Sequence, residues 1–100
     1  MKKTFPLEVS GKKRPRVVEA IKHELRKYVK RERRKALPEG MDYWDFDCRI
    51  GPSQEAAENV HIKTINPTID RVSESQTNSM YVEILARAAK RAPKKTNPES

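Results

Sequence analysis

The chain is 100 residues long, carries 22 Lys and Arg against 14 Asp and Glu, and has a formal charge of +8. That length supports one domain with one modest core, and a mean hydropathy of −0.94 with no long apolar run excludes a membrane-spanning helix. Cys48 is the single cysteine, which excludes an intramolecular disulfide and a thiolate zinc cluster and leads us to expect a reducing, cytoplasmic setting.

The charge is segregated along the chain. Residues 1–36 hold 14 basic and 4 acidic groups, net +10; residues 37–86 hold 3 and 9, net −6; residues 87–100 hold 5 and 1, net +4. A basic arm and a basic tail flanking an acidic middle predict a directed electrostatic surface rather than uniform stickiness.

The opening MKKTFPLEV regains charge at Glu8 and Lys12, too soon for the apolar centre of a signal peptide. Instead it alternates, with Phe5, Leu7 and Val9 on one side, as a half-buried strand does. Pro6 has no N–H to give a neighbouring strand, which predicts an edge position.

The stretch Arg14 to Lys35 reads as one long, basic, amphipathic helix. Val17, Val18, Ala20, Ile21, Leu25, Tyr28 and Val29 recur at three- and four-residue spacings, which at about 100° per residue gathers them on one face. Lys22, Arg26, Lys27, Lys30, Arg33 and Arg34 form a cationic strip opposite. Pro15 suits the first turn, and Pro38 with Gly40 closes the helix. Glu32 and Lys35 replace the apolar stripe near the end, predicting that the last turns extend past the core. Like charges four apart, Arg26 and Lys30, Lys27 and Arg31, Lys30 and Arg34, Arg31 and Lys35, each cost roughly 0.2–0.5 kcal/mol when exposed. An anionic partner would offset that repulsion.

After a turn at LPEGMD, the segment DYWDFDCRI carries the clearest strand pattern. Trp44, Phe46, Cys48 and Ile50 face the core, while Tyr43, Asp45, Asp47 and Arg49 face away. Gly51-Pro52-Ser53 ends the strand, and QEAAEN is expected to be a mobile loop. Between Val60 and Gln76 two readings compete: Ile62, Ile65, Ile69 and Val72 keep helical spacing, but Asn66-Pro67 also suits an N-cap and first turn, which would leave VHIKT as a short strand; a helix beginning within a few residues of Thr64 is expected. The segment MYVEILA predicts a last strand, with Met80, Val82, Ile84 and Ala86 inward and Tyr81, Glu83 and Leu85 outward. From Arg87 on, Ala, Lys, Arg and Pro show no apolar period, so residues 87–100 are expected to be a disordered basic tail behind an α+β domain spanning 1–86.

The predicted order is β-α-β-α-β in two layers, with both helices on one sheet face. A fourth strand before the second helix would give the split β-α-β, ferredoxin-like arrangement.

The N-terminal KKTFPL, the block AIKHELRKYVKRERRKALPEGMDYWDFDCRIG and the later YVEILA together resemble a family of small, uncharacterised bacterial proteins, a domain of unknown function. The resemblance spans most of the chain and is weakest between Pro52 and Ser79. It implies a bacterial, single-domain protein and carries over no catalytic residues.

Asp45, Asp47 and Glu83 share the outward sheet face, and clustered carboxylates can hold Mg²⁺ or Mn²⁺ for phosphoester chemistry. Alternation places i, i+2 residues on one face of every strand, however, and Arg49 cannot act as a base. The chain is therefore expected to be neither an enzyme nor a cofactor protein. His23 and His61 lack companions at metal-ligand spacing. Tyr43 and Tyr81, both outward, could stack unpaired bases, but the surrounding carboxylates repel phosphate.

The sequence thus points to an anionic partner. The first expectation is a nucleic-acid-binding accessory protein on structured RNA, using Lys12, Lys13, Arg14, Lys22, Arg26, Lys27, Lys30, Arg31, Arg33 and Arg34, with the Lys90 to Lys95 tail, as phosphate contacts. The second is a protein interaction module, in which the helix docks an acidic partner or the acidic sheet face of another copy.

Overall fold

A computed structural model describes residues 1–75 and 77–91. Its strands are β1 (Lys2–Pro6), β2 (Tyr43–Gly51), β3 (Glu58–Val60) and β4 (Ser79–Ala89), and its helices are α1 (Arg14–Arg33) and α2 (Ile65–Glu74), the latter entered through a 3₁₀ turn at Ile62–Thr64. All four strands pair antiparallel, in the order β1-β4-β2-β3. The protein is therefore α+β, a sheet with two helices against one face.

A fourth strand exists, but at Glu58–Val60 rather than over VHIKT, of which only Val60 pairs while Ile62–Thr64 form the 3₁₀ turn. Both β-α-β units are therefore split: β1 and β2 flank β4, and β3 and β4 flank β2. In a ferredoxin-like sheet the first strand is interior and the last lies at an edge. Here those positions are exchanged. The sequence explains why: β4 is the longest and most apolar strand, whereas β1 carries Pro6 at its end and β3 has only three residues.

Strand alternation orients the sheet as predicted. Phe46, Cys48, Ile50, Met80, Val82 and Ile84 pack against α1 and α2, with Phe5 and Leu7 closing one side. From α1 the buried residues are Val17, Val18, Ile21, Leu25 and Val29, and from α2 Ile65 and Ile69 with the polar Thr68 and Ser73. Two members of the expected stripe fall outside it, since Ala20 is exposed and Tyr28 only half-buried at its margin. Pro15 does sit in the first turn of α1.

Beyond Val29 the last turn of α1 carries no buried side chain, with Lys30, Arg31 and Arg33 exposed and Glu32 half-buried. The helix stops at Arg33 and the exposed chain after it is tied to β2, where Trp44 Nε1 donates to the carbonyl of Lys35 at 2.9 Å and the Arg33 guanidinium lies 5.3 Å from the Phe46 ring. A half-buried tryptophan thus satisfies its N–H on that exposed segment.

The tail boundary also moves. Arg87, Ala88 and Ala89 continue β4, pairing with Asp45, Trp44 and Tyr43. Residues 92–100 of the expected disordered tail lie outside the described residues. Likewise, the segment after Gly51 is folded, because Arg49 donates to the carbonyls of Gln54 and Ala57 and the Ser79 hydroxyl donates to that of Pro52.

Candidate functional site

The basic side chains around α1 fall into two groups. Some are committed to the fold. Arg14 donates to the carbonyls of Ser73 and Thr77 at 3.0 and 3.1 Å and to Glu8 at 3.3 Å, fixing the start of α1 to the end of α2. Lys22 reaches Asp70 at 2.7 Å with its side chain only 14% exposed. Glu32, where the apolar stripe lapses, holds Lys35 at 2.9 Å and Arg31 at 4.0 Å. Arg31 also lies over Tyr28.

The others are free. Lys12, Lys13, Arg16, Arg26, Lys27, Lys30 and Arg34 are exposed, and among the described residues none has a carboxylate within 4.0 Å. Arg26, Lys30 and Arg34 follow at four-residue spacing and keep two of the like-charge pairs read from the sequence.

Arg26, Lys30, Arg33 and Arg34 overhang a groove between α1 and the start of α2, with Lys63 on its far wall. Its volume is about 510 Å³. The floor is aliphatic, made of Leu25 and Val29 from α1, Ile62 from the 3₁₀ turn and Ile65 from α2, with Asn66 beside them. The far wall is set locally: His61 Nδ1 accepts from the N–H of Lys63 at 3.0 Å and the carbonyl of His61 accepts from that of Thr64 at 2.9 Å. That turn places Ile62 against the core at the groove floor and Lys63 outward. His61 thus acts as a cap. The spacing of Ile62, Ile65 and Ile69 marks this side of α2 as apolar, but nothing local in the sequence shows a groove.

The outward sheet face has the opposite character. Arg87 donates to Asp47 Oδ2 at 3.0 Å and to Asp45 Oδ2 at 2.8 Å, and the Asp47 hydrogen bond and charge together hold its guanidinium even further from deprotonation. Arg49 lies 3.7 Å from Glu83, which also accepts a hydrogen bond from the Tyr81 hydroxyl at 2.8 Å. That bond pushes the Tyr81 phenol upward, since ionising it would set two anions side by side. Asp45 and Asp47 are thus brought together, but on an arginine, and Glu83 belongs to a separate pair. Among the described residues no group of three or more His, Cys, Asp or Glu is placed to hold a metal ion.

Tyr81 is not the exposed ring expected. It is 5% exposed. The segment 52–57 folds back over Gly51, where a Cβ would meet the Ala56 carbonyl oxygen and the Ala57 Cα at 2.7 Å. Gly51 pairs with Tyr81, so this close approach covers the ring. Tyr43 remains exposed. Cys48 is buried on the inner face, and that burial, with Asp47 and Asp45 adding to it, pushes the thiol up to about 11.

Fold and surface together define an α+β protein with a free cationic helix on one side and a charge-paired sheet on the other. The chain belongs to the Family of unknown function (DUF6172), whose family model matches residues 1–96. No curated protein and no solved structure matches it.

Proposed function

We propose that this protein binds nucleic acid, structured RNA in the first instance, through the solvent side of α1. One observation carries the reading: Arg26, Lys27, Lys30 and Arg34 are exposed without a carboxylate partner among the described residues, while the carboxylates of the sheet face are taken up by Arg49 and Arg87. Like charges left adjacent on a helix cost stability, and an array of phosphates relieves that cost while the lysines and arginines release the cations condensed on the nucleic acid. Lys12, Lys13 and Arg16 extend the free positive surface towards the start of the helix.

The alternative, docking on the sheet face of a second copy, has less to work with. Asp45, Asp47 and Glu83 already face arginines of their own chain, so they offer little net negative charge to another helix. The test is purification at low and at high salt. Nucleic acid that co-purifies at low salt and is stripped at high salt, read as a falling 260/280 absorbance ratio, supports the proposal. A protein free of nucleic acid that also fails to shift a structured RNA at low salt overturns it.

A further inference from the structure

The groove beside α1 differs from the rest of the cationic surface, because there the free charges border apolar side chains rather than open water. We propose that it receives one unpaired nucleotide, so that the RNA partner carries a bulge, loop or single-stranded end at that point. This rests on the nucleic-acid reading above and adds to it which feature of the nucleic acid is bound.

Three observations lead to a base. The volume, about 510 Å³, falls in the range of roughly 300–1,000 Å³ that suits small ligands, and a nucleoside is of that kind. The apolar floor is short, since Leu25, Val29 and Ile65 are nearly covered and Ile62 alone is half-buried. That offers a place for one flat apolar group. A bound amphipathic peptide helix would need anchors at i, i+3 or i+4, and i+7. Third, the polar groups are arranged as a nucleotide requires. Arg26 and Lys30 on one wall and Lys63 on the other can take the phosphates on either side of the base, guanidinium planes can stack on it, and the Asn66 amide can both donate to and accept from its edge. A base stacked inside a continuous duplex cannot reach this floor.

The test is an NMR titration of the methyl-labelled protein with three probes: a continuous RNA duplex, the same duplex with one bulged nucleotide, and an acidic amphipathic peptide lacking aromatic residues. The bulged RNA is expected to bind about tenfold tighter than the duplex and to move the Ile62 and Ile65 methyls upfield through the ring current of the base. Ile62→Ala and Asn66→Ala should each remove the preference for the bulge while leaving duplex affinity in place. Equal affinity for the two RNAs with unmoved methyls would overturn the nucleotide site and leave the phosphate contacts standing. Failure of both RNAs, with the peptide alone moving the methyls, would overturn the nucleic-acid reading as well.

Discussion

Lys22 Nζ lies 2.7 Å from Asp70 Oδ1 and ties α1 to α2 at the end of the groove. The lysine is mostly buried and the aspartate half exposed, so the pair is partly screened. Asp70→Ala should cost about 1 kcal/mol in urea unfolding, because Lys22 then keeps a sheltered charge with water as its only partner. The same change adds one uncompensated positive charge beside the groove and should tighten RNA binding. Loss of binding would show that the pair's role is to position the walls.

Phe46 is the residue on which the orientation of β2 can be tested. It is 4% exposed, lies in the shared core and has Arg33 over its ring. Phe46→Ala should destabilise by about 3–5 kcal/mol, a large fraction of what a chain of this size possesses. A denaturation midpoint close to the parent's would contradict the strand alternation.

Arg87→Gln probes the sheet face. Asp45 and Asp47, neighbours on one face of β2, would then lie side by side without a cation between them. As the arginine is 53% exposed, the expected loss is about 1 kcal/mol or less, shrinking at high salt. An unchanged melting temperature at low salt would show that water serves the two carboxylates equally well.

Burial of Cys48 should appear as alkaline sensitivity. Folding pushes the thiol up to about 11 from an ordinary 9.0, so above pH 9 the unfolded chain loses this proton while the folded one keeps it. Stability attributable to the thiol therefore falls as pH rises from about 9 to 11, by up to about 2–3 kcal/mol. Comparing Cys48→Ala with the parent across that range should show the parent losing more. In native protein at neutral pH a thiol reagent should react only on unfolding.

The parts of the fold legible in the sequence are those whose signal is local. Trp44, Phe46, Cys48 and Ile50 alternate with polar residues, and Val17 to Val29 keep helical spacing, so the strand, the helix and their inward faces follow from periodicity. Arg87 to Ala89 escape such a reading because alanine gives little contrast between faces, and what extends β4 there is the pairing of Ala89 with Tyr43 and of Arg87 with Asp45, residues distant in sequence. Alternation puts Tyr81 on the right face, but its cover depends on segment 52–57 crossing a glycine. The cations are visible as a stripe. Which of them are free is not, because Arg14 and Lys22 are claimed by Ser73, Thr77 and Asp70 from another helix and the turn after it.

The central claim is that the free cations of α1 meet phosphates, and the salt dependence of RNA binding tests it most directly. With Arg26, Lys27, Lys30 and Arg34 changed to Gln, the slope of log affinity against log salt should flatten by about 0.7–0.9 for each phosphate that is no longer neutralised. Thermal stability should be equal or slightly higher, since the like-charge pairs are gone. A parent protein with no measurable affinity, or a variant with the parent's slope, would contradict the account.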